Sequence, residues 1–202
     1  MPLGAFKAAL MGTAGVSAGA SVVLLSTQTA TSDASISFTS GITSTYGEYI
    51  FGFYNINPAT DLANFSFQVN ATDDDGGDYD QSPITSTDFS AIITEGDESA
   101  SLGYQTPGDQ AEGTAFQILW EEGGNGGDES GAGVLHLFNP SSTTYVKHFY
   151  ARTQSAMGDA SGDYSTDTFV GGYINQTDDV DAVIFNFQTG VFDGKFKMWG
   201  VK

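Results

Sequence analysis

Two Asn-Pro steps constrain this chain more than any other feature. Each interrupts an apolar, aromatic-rich run. Phe51 to Ile56 stops at Asn57-Pro58 and resumes at Phe65 to Val69, and Val134 to Phe138 stops at Asn139-Pro140 and resumes at Tyr145 to Tyr150. Proline has no N–H and holds φ near −65°, and its ring pushes the preceding residue toward extended backbone, so each step reads as a strand end entering a turn. A chain punctuated in this way is built mainly of strands.

Strand segments then recur at the spacing of a β-sandwich or barrel: Val22 to Leu25, Ser35 to Thr39, Tyr49 to Ile56, Asn64 to Asn70, Phe89 to Ile93, Phe116 to Trp120, Gly133 to Phe138, Tyr145 to Arg152, Phe169 to Ile174, Val183 to Phe187 and Lys195 to Val201. Alternation is cleanest from Asn64 to Asn70, where Phe65, Phe67 and Val69 share a face destined for the core and the intervening polar residues meet water or a partner. Tyr49, Phe51 and Phe53 fall on one side of their strand and Ile50, Tyr54 and Ile56 on the other, which predicts a strand covered on both faces. No segment carries a sustained helical stripe. The expectation is an all-β, single-domain antiparallel β-sandwich over residues 21–202, preceded by an extended N-terminal arm of small residues over 1–20. That arm reads poorly as a secretory signal, because Gly12, Thr13, Gly15, Ser17 and Gly19 break up its apolar run.

Charge narrows the partners. The formal net charge is −19, no Lys or Arg occurs between Lys7 and Lys147, and fifteen of the 25 acids lie between Asp73 and Glu129. Contact with nucleic acid requires positive groups that replace phosphate counterions, and an anionic membrane surface asks the same, so neither is an expected partner. Membrane insertion is not expected either, since the N-terminal stretch is too polar to span a bilayer. The chain has no cysteine, which removes disulfides, thiolate metal sites and thiol nucleophiles.

The chemistry-bearing residues offer alternatives. Asp73, Asp75 and Asp78 surround Gly76 and Gly77 and could supply oxygen ligands to Ca²⁺, yet Ile84 stands where an EF-hand loop would place its bidentate Glu, and Asp-Gly-Gly after an alternating strand is itself a hairpin signal. No other cofactor is expected. The Gly-rich acidic loop from Glu121 to Glu129 has the same ambiguity. His136 and His148 lie in strands, where a structural or surface role outweighs a metal site. The aromatics could form a sugar-stacking platform, but core packing is the stronger reading. No nucleophile elbow, zinc-protease helix or phosphate loop is present, so no catalytic residue is assigned.

Taken in order, several runs resemble a family of small virion proteins encoded by tailed bacteriophages, abundant among those of marine bacteria. These runs are Phe38 to Tyr49, Asn55 to Asp61, Asp75-Gly76-Gly77-Asp78-Tyr79, Leu137-Phe138-Asn139-Pro140 and Gly190 to Val201. The resemblance spans nearly the whole chain, and the extra acids Asp74, Asp75, Asp178 and Asp179 depart from the pattern. It implies a jelly-roll-like sandwich on the surface of a virus particle, assembled in the host cytoplasm. The implied role is a non-enzymatic structural protein, either capsid decoration, cement or head fibre, or alternatively a tail-fibre or tail-tip protein that binds a host-surface glycan. Its expected partners are other virion proteins and further copies of itself in a homotrimer. The arm and first strand, through Phe6, Lys7, Leu10, Val22 and Leu24, are the expected assembly contacts.

Overall fold

The computed structural model describes residues 21–71, 79, 82–159 and 162–202, and among them every regular element is a strand. In chain order these are β1 (Val22–Asp33), β2 (Ser35–Phe38), β3 (Glu48–Pro58), β4 (Ala63–Asn70), β5 (Ile84–Thr94), β6 (Ala100–Tyr104), β7 (Gln117–Gly123), β8 (Gly131–Phe138), β9 (Lys147–Asp159), β10 (Gly162–Ile174), β11 (Ala182–Phe187) and β12 (Phe192–Val201). They form two antiparallel sheets packed as a sandwich. One has eight strands in the order β1-β12-β3-β8-β9-β10-β5-β6, and the other has four in the order β2-β11-β4-β7. A jelly roll has eight strands in two Greek keys, whereas this chain has twelve described strands divided eight and four.

The aromatic core fills the space where the two sheets overlap. Phe185 of β11 sits at its centre, with its ring centroid 5.0 Å from Phe53, 5.6 Å from Phe51 and 5.6 Å from Phe196. Phe65 of β4 stacks on Trp120 of β7 at 4.3 Å, and Phe67 meets Phe149 of β9 edge-on. Tilted and edge-on pairs of this kind add attraction beyond the area they bury.

Four expectations from the sequence change here. Asn55 adopts φ 50° and the β3–β8 register shifts between Phe53 and Ile56. This bulge turns Ile56 inward beside Tyr49, Phe51 and Phe53, while Tyr54 stays exposed. Within one chain the strand is therefore covered on one face only, so a second cover, which its alternation also predicts, could come only from a neighbouring subunit. Conversely, the polar residues of β4 do not meet water. Ser66 and Gln68 are fully buried, and the Gln68 amide donates to the carbonyls of Ser82, Thr114 and Ala115. The strands on either side of the Asp-Gly-Gly stretch, β4 and β5, belong to different sheets and do not pair, while the stretch itself lies outside the described residues. Finally, Asn139 takes left-handed backbone at φ 46° in place of the extended form expected before proline. Its N–H donates to Gly47 O at 2.8 Å, which holds the corner in that form.

Candidate functional site

The outer face of the eight-stranded sheet carries the most unusual surface among the described residues. Cross-strand register aligns Leu24, Trp199, Ile50, His136 and Tyr150 in one row across β1, β12, β3, β8 and β9. A second row runs through Lys197, Gly52, Val134, Arg152, Phe169, Phe89 and Tyr104, ending on edge strand β6. Directly opposed side chains on one face interact most strongly, and the rings show it. Phe89 and Phe169 stack at 5.0 Å with planes 5° apart, and His136 stacks on Tyr150 at 4.5 Å. Although stacked, Phe89 and Tyr150 remain exposed, as do Tyr54, Ile93 and Tyr104, and Leu102 on β6 is 75% exposed.

Charge on this face is small, and part of it is paired. Arg152 donates twice to the Asp167 carboxylate, at 2.7 and 3.1 Å, and lies 4.8 Å above the Phe169 ring. The Asp167 pairing raises the guanidinium pKa. His136 Nδ1 is 2.5 Å from Glu48 Oε1. Lys197 sits over the Tyr54 ring. On a chain of net charge −19, this is a broad, nearly neutral aromatic surface.

A cleft of about 890 Å³ opens at the second Asn-Pro corner, beside that face. Tyr46, Phe138, Asn139, Ser142, Tyr145 and His148 line it. The Ser142 hydroxyl accepts from the N–H groups of Thr144 and Tyr145, and Val180 N–H donates to Pro140 O, so the corner is braced from within and from the β10–β11 connection. Lys147, fully buried beneath it, donates to the carbonyls of Gln176 and Asp178. Burial lowers its pKa, and Asp178 and Asp179 oppose that shift. Tyr145 projects at 73% exposure. Aromatic faces edged by hydroxyl and amide groups can stack on sugar rings and hydrogen-bond their hydroxyls.

The expected site residues are distributed as follows. Asp73, Asp75 and Asp78, and the arm residues Phe6, Lys7 and Leu10, lie outside the described residues. Val22 and Leu24 are about half exposed on β1, which is an edge strand of the large sheet. The histidine strands β8 and β9 do pair, but His136 is engaged by Glu48 and His148 lies beside Tyr173. Among the described residues no three His, Asp or Glu side chains gather as a metal cluster, and no helix is long and apolar enough to cross a membrane. The Glu121–Glu129 loop is held by its own groups. Glu129 Oε2 accepts from Gly126 N–H, and the Asn57 amide of the first corner donates to Gly126 O and Glu129 O.

Sequence reading missed the exposed aromatic face and the Tyr46–Tyr145 cleft. A signal for the face exists. In β10, Phe169 and Tyr173 alternate with Val170 and Ile174, so both faces of one strand are apolar while only one belongs to the core. Compared with known families, curated proteins and solved structures, the chain matches no family model, no curated protein and no solved structure.

Proposed function

We propose that this protein is a non-enzymatic structural component of a bacteriophage particle, a capsid-decoration or head-fibre protein that packs against further copies of itself as a homotrimer. The observation that carries the reading is the nearly neutral aromatic face of the eight-stranded sheet. Two copies of a chain with net charge −19 repel one another over most of their surfaces. A face of low net charge, with Arg152 paired to Asp167 and His136 beside Glu48, is where they can approach, and its exposed rings are the residue types enriched at protein interfaces. Leu24 on edge strand β1 continues the ring row through Trp199, so the first strand and the face form one surface. The resemblance of the chain to phage virion proteins supplies the setting.

Light scattering on the purified protein tests the assembly. The expected mass is three times 21.2 kDa, and Tyr150→Asp shifts it to the monomer. A wild-type monomer at micromolar concentration overturns the reading. Labelling the protein on intact particles and imaging them distinguishes capsid from tail, and removal of residues 1–20 abolishes attachment if the arm anchors the protein.

A second reading, a tail-tip module that binds host glycans, is favoured by the cleft at the Asn139-Pro140 corner. Binding on a glycan array that is lost in Tyr145→Ala supports it.

A further inference from the structure

Asp88 on β5 is fully buried, and neither of its carboxylate oxygens has a hydrogen-bond partner. An ionised carboxylate in that situation costs several kcal/mol unless something meets it. Asp88 faces a small cavity of about 40 Å³, lined also by Ser90, Gln105, Thr166 and Thr168, by Ile92 and Met157, and at its mouth by Glu121 and the exposed Glu122. That volume holds an ion or one to two waters and nothing larger. Ser90, Thr166 and Thr168 are themselves buried. The cavity lies between the sheets, with Asp88 and Ser90 on β5, the two threonines on the neighbouring β10, and Glu121 across the gap on β7.

Among the described residues, no Lys or Arg reaches it. Of the five described Lys and Arg residues, Arg152 is held by Asp167 on the outer face and Lys147 by carbonyls of the 175–181 connection. Lys195 and Lys197 belong to β12, five strands from β5 across the sheet, and Lys202 follows that strand. The other charged neighbours are acidic. Glu121 and Glu122 come from β7, and Asp109 from the β6–β7 connection, where it accepts from the Tyr104 hydroxyl at 2.6 Å. A proton alone answers little of this, since a neutral carboxyl still presents an O–H and a carbonyl oxygen, and neither Asp88 oxygen has a partner. The fit is close on the remaining side, where a Cβ at Gly108 would overlap Asp88 Oδ2.

We propose that the Asp88 cavity is a Ca²⁺ site that ties the two sheets together, with the Asp88 and Glu121 carboxylates as its charged ligands and the Ser90, Thr166 and Thr168 hydroxyls and water completing the shell. Donors that are all oxygen, with no His or Cys, select a hard cation, and Ca²⁺ tolerates the irregular geometry that Mg²⁺ rejects. The site is distinct from the acidic loop at Asp73, Asp75 and Asp78, and independent of the assembly reading above.

The test is thermal unfolding and calorimetric titration of the full chain, stripped with chelator and returned to CaCl₂, MgCl₂ or NaCl at matched ionic strength. At free Ca²⁺ about 100-fold above Kd, the expected rise in Tm is about 5–10 °C, with one ion bound per chain and little response to Mg²⁺. Asp88→Asn and Glu121→Gln each abolish the calcium-specific rise while keeping the β-sheet circular dichroism. If Asp88→Asn does not fold, Gly108→Ala, which drives a methyl group against the carboxylate, gives the same loss of response. No calcium-specific rise in the wild type, or a rise of equal size in the variants, overturns the proposal and leaves general screening of the acidic surface as the cause. A response to Na⁺ equal to that for Ca²⁺ overturns the choice of ion.

Discussion

The two ends of the sandwich interior are built from different chemistry. Where β3, β8 and β12 face the four-stranded sheet, the interior is Phe38, Phe51, Phe53, Phe65, Phe185 and Phe196. Where β5 and β10 continue beyond that sheet, the interior side is Ser86, Asp88, Ser90, Thr166 and Thr168, all buried. The cause is width, because eight strands cannot be covered by four. The uncovered end is closed by the β6–β7 connection, whose backbone contacts β5 through Ser86 N–H to Gln110 O and Gln105 N–H to Asp88 O. A strand covers a sheet with side chains, but a loop brings free backbone groups that need polar partners. The buried amides answer that need. Gln117 donates to Gly108 O, and its Oε1 accepts from the Ser86 hydroxyl. One end is therefore filled mainly by aromatic packing, and the other by hydrogen-bonded polar groups around Asp88, where an ion is proposed to bind.

Truncations at the two ends sharpen that contrast, and the largest effect belongs to the aromatic end. Phe185→Ala removes the ring at the centre of the cluster and costs about 3–5 kcal/mol in a urea unfolding curve. A loss below about 1 kcal/mol would show that the aromatic end tolerates a void and would erase the distinction.

At the polar end, the sign reverses when calcium is absent. Asp88→Asn in chelator at pH 8 raises stability by about 1–3 kcal/mol, because a buried unpartnered charge is removed. The pH profile gives the same contrast. Burial, reinforced by Glu121 and Asp109, pushes the Asp88 carboxyl up to about 7, above its unfolded value of about 4. Between those values the folded state holds a proton that the unfolded chain has lost, so the stability this carboxyl contributes is fully present below about pH 4 and is lost as pH rises through about 7. Thermal melts across that window in chelator show the fall in the wild type and a shallower one in Asp88→Asn. Parallel profiles would remove Asp88 as its source.

Smaller effects follow. The Ser155 hydroxyl on β9 is buried and without a partner, so Ser155→Ala changes stability by about 1 kcal/mol or less, in the stabilising direction. Leu102→Asp on the exposed edge strand β6 alters folding stability by no more than about 0.5 kcal/mol. By light scattering, the same substitution weakens self-association. The outer face would then be separable from both interior ends.

Much of this architecture is written in local pattern. Every strand expected from alternation and turn residues is present, because a side-chain period of two has one structural meaning. Strand β6 was not expected, since all of its residues are exposed and an edge strand without a buried face leaves no alternation to read. The length of β9 and β10 was also hidden. Their outer halves run through Thr153, Ser155, Thr166 and Thr168, residues that look like surface and are buried by a loop distant in sequence.

The candidate sites were less legible. Tyr145 stands among threonines with nothing to mark it as a cleft wall, and Asp88 is one of 25 acids. Only the pairing of β5 with β10 and the approach of β7 bring Asp88 and Glu121 to one small cavity.

By itself the sequence determined that this chain is an all-β sandwich with an aromatic core and a strongly acidic surface, since periodicity, proline geometry and net charge are local or additive properties. The tertiary structure alone decided which aromatic residues stay outside, which polar residues go inside and which carboxylate is left without a partner. Those outcomes depend on sheet width, register and one bulge at Asn55, and a sheet's register turns every side chain to one face or the other at once.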